Sequence, residues 1–114
     1  MRFIEPDKDI CCNDVIKCVF DLNNLDMDTY KILEKNKEKS AGEIAKKLKK
    51  ERSTVYRSLQ RLVCCGLCTK RTKTLEKGGY YHVYFPVTKK VTKNKIQQCI
   101  DEWYHKMKQT LEEF

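Results

Sequence analysis

Along this chain hydrophobic positions keep helical spacing to about residue 65, then alternate, then return to helical spacing. Asn13–Phe20 carries Val15, Ile16, Val19 and Phe20 on a period that predicts a short first helix. Asp26 is placed to cap a second helix, MDTYKILEK, because its carboxylate can accept an orphan backbone N–H. Met27, Tyr30, Ile32 and Leu33 form that helix's inward stripe. Ser40-Ala-Gly-Glu43 has the form of a capping box and opens a third helix, with Ala41, Ile44, Ala45 and Leu48 inward. After a short polar turn around Lys49–Arg52, Ser53 is placed to cap a fourth helix, TVYRSLQRLVCC. Gly66 follows where a left-handed C-terminal cap is needed.

Beyond Gly66 the period becomes two. Leu67–Thr72 and Tyr80–Phe85 are rich in Thr, Tyr and Val and predict two strands joined by the polar loop KTLEKGG. Pro86 ends the second strand. The segment from about Val87 to Phe114 is expected to be one long helix. On it Ile96, Ile100, Trp103, Met107, Thr110 and Phe114 fall on one narrow face.

Two helices across a tight turn, residues 40–48 and 53–65, followed at once by a basic hairpin, are the element order of a winged helix. The expected fold class is α+β, mostly α: a winged helix-turn-helix domain with a β-hairpin wing and a long C-terminal dimerisation helix. The expected division is 1–88 for the winged helix, with the helix-turn-helix at about 40–65 and the wing at about 67–85, and 89–114 for the dimerisation helix.

Charge sharpens this picture. The 114 residues carry a net +8. Residues 35–77 hold 14 basic and 4 acidic side chains, whereas residues 1–34 hold 4 basic and 8 acidic. The excess sits on the helix-turn-helix and wing, the mark of a polyanion-binding surface rather than of general solubility. On the fourth helix Leu59 and Leu62 lie within about 40° of Val55, so Ser53, Arg57, Gln60, Arg61 and Cys64 turn outward, with Thr54 and Tyr56 on the flanks. Arg and Gln read base edges and hydroxyls bond phosphates. The expected DNA-binding set is Ser53, Thr54, Tyr56, Arg57, Gln60 and Arg61 from the helix, and Arg71, Lys73 and Lys77 from the wing. The recognition helix, 53–65, is expected in the major groove and the wing, 70–79, on the backbone.

The stretch IAKKLKKERSTVYRSLQRLVCCGLCTKR resembles the DNA-binding segment of archaeal helix-turn-helix regulators of the TrmB type, with R-S-x-V-Y-x-x-L-x-x-L and then G-L. YYHVY and DEWYHKMK resemble small stand-alone members of that group, so the similarity runs from about residue 13 to the end. The resemblance implies a dimeric winged-helix transcription regulator acting on double-stranded DNA. Larger TrmB-type proteins carry a C-terminal sugar-binding domain, for which this chain has no room, so no sugar effector is expected. The terminal stripe of Ile96, Ile100, Trp103, Met107 and Phe114 is too apolar to stay exposed, and its spacing suits a helix-to-helix seam in a homodimer. Two-fold symmetry then sets two recognition helices ~34 Å apart over a near-palindrome. The competing expectation is a winged-helix protein-interaction module of the transcription machinery.

Seven cysteines without a secretory signal point away from a disulfide framework. A single CxxC pair, Cys65 and Cys68, does not make a structural zinc site, so no metal and no cofactor are expected. Cys18 and Cys68 fall in apolar patterns and are expected in the core. Cys64 and Cys65 are the candidate redox pair, with Arg61 and Lys70 beside Cys65 to lower its thiol pKa, and Cys11-Cys12 is a second exposed pair. The chain has no Ser/His/Asp set, no phosphate-cradling glycine loop and no HExxH, so an enzyme is not expected. With no apolar run near the roughly 20 residues that span a bilayer, no membrane partner is expected and the location is cytoplasmic.

Overall fold

A computed structural model describes residues 12–114. Cys11 and the Cys12 side chain, the expected N-terminal thiol pair, lie outside the described residues. The elements in order are α1 (Cys12–Val19), α2 (Asn24–Asn36), α3 (Ala41–Leu48), α4 (Arg52–Cys65), β1 (Cys68–Thr74), β2 (Tyr80–Pro86) and α5 (Lys89–Glu112). They fall into two compact units. One is Leu22–Val87; the other joins α1 to Thr88–Phe114. The units meet at Val87–Thr88, and α1 groups with α5 and not with the helix-turn-helix.

Within Leu22–Val87 the apolar stripes expected from the sequence meet in one core. Met27, Tyr30, Ile32 and Leu33 of α2, Ala41, Ile44 and Ala45 of α3, and Val55, Leu59 and Leu62 of α4 are all buried. Leu48 is half-buried. Leu59 is wholly buried on the inner side of α4. Truncating such a leucine to alanine costs about 2–5 kcal/mol, so it fixes the helix that carries the outward side chains.

The caps show how far local chemistry sets these elements. Ser40 and Glu43 form the expected capping box on α3. Gly66 adopts the left-handed conformation at φ 78° and closes α4. Two expected caps are corrected. α2 starts two residues before Asp26: Asn23 is its cap, and Asp26 is the third helical residue of a reciprocal capping box, at 2.8 Å and 3.1 Å. α4 starts at Arg52, so Ser53 lies inside the helix and Glu51 is the cap position, with no side-chain cap bond.

The wing is an antiparallel pair registered from Cys68↔Pro86 to Thr74↔Tyr80. Its loop turns through Gly78 and Gly79, both at positive φ, where a side chain would be strained. Leu75 N–H donates to the Gly79 carbonyl at 3.0 Å to close it. On its other edge β2 makes a bridge to Lys39: the Tyr84 N–H donates to the Lys39 carbonyl at 2.8 Å and the Lys39 N–H to the Tyr84 carbonyl at 3.2 Å. That bridge fastens the wing to the segment just before α3. In the other unit Thr88 caps α5, and α5 runs as the single long helix expected.

Candidate nucleic-acid interface

α4 presents the face the sequence predicts. Val55, Ser58, Leu59 and Leu62 point inward. Ser53, Arg57, Gln60, Arg61 and Cys64 are exposed, Tyr56 is 39% exposed and Thr54 is half-buried. The helix contains no carboxylate. The turn that joins it to α3 is only Lys49–Glu51, with Lys49 left-handed at φ 56°. A turn this short ties the outward face of α4 to α3. Gln60 Nε2 donates to the Tyr56 hydroxyl at 3.1 Å, which orders two of the expected reading groups against each other. Arg57 has no partner among the described residues.

Arg61 does something the sequence did not suggest. Its Nε donates to both carboxylate oxygens of Asp26 at 3.1 Å, and a terminal nitrogen donates to one of them at 2.8 Å. That nitrogen also reaches the buried Ser58 hydroxyl at 3.2 Å. Asp26 is 1% exposed, so the carboxylate is out of water and its partners decide its state. Burial pushes its carboxyl up. The bonds from Arg61, Ser58 and the Asn23 amide, with the Arg61 charge, outweigh that and hold it below the ordinary carboxylate range. The side chain expected to cap α2 is therefore a joint: it closes the start of α2 and clamps α4 through Arg61. The signal for it was the N-x-x-D pattern at Asn23, which is a capping box with Asp in place of Glu. Arg61, expected to read DNA and to act on Cys65, has its guanidinium engaged by Asp26.

On the wing Arg71 and Lys77 are exposed, and Lys73 pairs with Glu38 of the segment before α3. The Glu38 bond raises the Lys73 pKa. The Arg71 guanidinium lies 4.9 Å over the Phe85 ring, a diagonal cross-strand neighbour that holds it beside the strand pair. Gly78-Gly79 turns the tip through two positive-φ positions that carry no side chain.

The five expected seam residues divide along α5. Ile96 and Ile100 are half-buried; Trp103, Met107 and Phe114 are exposed, with Leu111 beside them. Trp103, Met107, Leu111 and Phe114 line one shallow apolar groove. Among the cysteines, Cys18 and Cys68 are buried as expected, Cys64 is exposed and Cys65 is half-buried. Burial and the neighbouring Cys65 push the Cys68 thiol up to about 12, so it is an inert core thiol at neutral pH. No group of three or more metal-ligating side chains occurs among the described residues. No described helix is long and apolar enough to cross a membrane.

Comparison with known proteins gives this surface its context. The family model of the sugar-specific transcriptional regulator TrmB matches residues 16–90. The chain is 33% identical over 99 residues to protein MJ1503 of Methanocaldococcus jannaschii, covering 87% of this chain and 75% of that protein. Its fold matches a possible transcriptional regulator from Methanosarcina mazei with a TM-score of 0.82 at 27% identity, over 98% of this chain and 95% of the other. It also matches TrmBL2, an archaeal chromatin protein, with a TM-score of 0.61 at 21% identity, over 88% of this chain and 35% of that one, a likeness of fold alone. The helix-turn-helix, the two-stranded wing and the long terminal helix make a DNA-binding winged-helix fold, and the chain belongs to the TrmB family of archaeal transcriptional regulators.

Proposed function

We propose that the protein is a sequence-specific double-stranded-DNA-binding transcription regulator that acts as a homodimer. The observation that supports this most directly is the outward face of α4: Ser53, Tyr56, Arg57 and Gln60 exposed on a carboxylate-free helix whose opposite side is locked into the core. In the major groove Arg57 and Gln60 read base edges, while Ser53 and Thr54 contact phosphates. Arg71 and Lys77 follow the backbone from the wing, with Lys73 shared between Glu38 and DNA. Arg61 serves as a clamp that sets the angle of α4, not as a base reader. Its role is regulation rather than catalysis, and its place of work is the cytoplasm. The apolar face of α5, from Ile96 and Ile100 to Trp103, Met107 and Phe114, pairs two copies over a two-fold symmetric site. Cys64 and Cys65 are the thiols through which oxidation acts on DNA affinity; oxidant is expected to weaken the wild type and not a Cys64→Ser, Cys65→Ser variant.

Selection of bound sequences from a random duplex pool tests the central claim. Enrichment of a near-palindrome is expected. Arg57→Ala and Gln60→Ala are each expected to lose about 1–3 kcal/mol on that site and to relax choice at their own base positions. If no duplex enriches, the fold is acting as a protein-interaction module. If both variants bind the selected site as the wild type does, α4 is not the reading element.

A further inference from the structure

A cleft of about 480 Å3 lies between the start of α4 and the second strand of the wing, inside the winged-helix unit. Arg52, Ser53 and Tyr56 stand on the α4 side, and Tyr80, His82 and Tyr84 on the β2 side. No carboxylate lines it.

Three features of this cleft are not accounted for by folding. The start of α4 is open: its cap position makes no side-chain bond and its first turn has no acid, whereas α2 and α3 are each closed by a capping box with an acidic residue. First-turn amides left in this state carry partial positive charge and seek an acceptor. Arg52 stands at that point, exposed and without a carboxylate partner among the described residues. Tyr84 is 2% exposed, and its hydroxyl, for which no protein hydrogen bond occurs among the described residues, is not fully enclosed and so keeps access to water. The Tyr84 side chain lines the cleft, within electrostatic reach of Tyr56 and Arg52. Burial raises its phenol pKa, so it is a neutral O–H donor at physiological pH. His82 has one ring nitrogen, Nδ1, 3.1 Å from the Thr72 hydroxyl, which leaves Nε2 as its second polar atom.

An open helix start, an unpaired guanidinium and a phenol hydroxyl that makes no protein hydrogen bond, in a cleft lined by no carboxylate, select an oxyanion. Ser53 and Tyr56 belong both to this cleft and to the outward face of α4, so the anion it meets when α4 enters a groove is a backbone phosphate. We propose that the cleft seats one phosphodiester of the DNA backbone, with Tyr84 donating its O–H, Arg52 supplying the charge and the first amides of α4 completing the cradle. This assignment rests on the DNA-binding function proposed above and adds Arg52 and Tyr84 to it. The seat sits where α4 meets the wing, so one phosphate fixes the register of both elements on the duplex.

The test uses the full chain on a selected duplex in which phosphates are replaced one at a time by neutral methylphosphonate. One position in each half-site is expected to cost the wild type about tenfold, the size of one charge-assisted contact. Tyr84→Phe and Arg52→Gln are expected to bind the unmodified duplex several-fold more weakly and to lose little more at that same position. Tyr84→Phe keeps the ring, and an unchanged thermal midpoint separates a lost contact from a lost fold. Equal losses at every phosphate in the wild type and both variants, with duplex binding kept, overturn the seat and leave the DNA-binding function standing. A wild type that enriches no duplex overturns both. If millimolar inorganic phosphate shifts the Tyr84 and His82 resonances while the methylphosphonate losses stay equal, the site belongs to a small phosphorylated ligand and the backbone assignment falls.

Discussion

Asp26 shows how much one side chain can hold. It closes the first turn of α2 and takes three hydrogen bonds from Arg61. Arg61→Ala leaves that carboxylate buried with too few donors. Losing one partner of a fully buried pair costs about 3–5 kcal/mol, and the Arg61 side chain is 46% exposed, so a loss of about 2 kcal/mol at neutral pH is expected by urea unfolding. The sign of the pH dependence follows from the direction of the Asp26 shift. Its folded pKa lies below the ordinary value, so its contribution is complete above the unfolded pKa of roughly 3.9 and disappears as pH falls through the lower folded value. The gap between wild type and Arg61→Ala is therefore expected to narrow below about pH 4, because both then carry a neutral Asp26. A gap that stays constant to pH 2 removes the ion pair as its cause.

At the scale of elements, the proposed function has α4 and the wing divide the work: the α4 face would carry choice among sequences, and the wing affinity without choice. Arg71→Ala and Lys77→Ala are each expected to weaken binding alike on selected and random duplexes. Each should flatten the slope of log affinity against log salt by about 0.9. Lys73→Ala should flatten it less, because Lys73 is shared with Glu38. The cap at the end of α4 matters for a different reason. Gly66 sits at φ 78°, so Gly66→Ala is expected to cost about 1 kcal/mol in thermal or urea unfolding through backbone strain alone.

At the scale of the whole molecule the question is what covers α5. Trp103, Met107 and Phe114 expose an apolar stripe on a helix that continues to Glu112. The proposed homodimer seam would remove that surface from water. Met107→Glu is expected to shift sedimentation from dimer to monomer and to weaken binding to a palindrome at least tenfold while leaving single half-site affinity near its former value. An unchanged sedimentation coefficient assigns the stripe to another partner.

The sequence by itself determined what depends on neighbours within a turn or a pleat. Hydrophobic period set which sides of α2, α3 and α4 are buried, Ser40 and Glu43 set a cap, Gly66 set a stop, and the basic block marked the surface for polyanions. These signals are legible because they act across at most four residues or are simple sums of charge. The tertiary structure decided what each side chain meets. Arg61 and Asp26 are 35 positions apart, and nothing in the outward spacing of Arg61 shows that a buried carboxylate waits beside it. Tyr84 reads as one of several strand tyrosines, but packing buries it to 2% exposure in the lining of the cleft beside the start of α4. Period tells which face of an element is covered, but only packing brings distant elements together. The clamp on α4 and the cleft beside it exist only once that packing is complete.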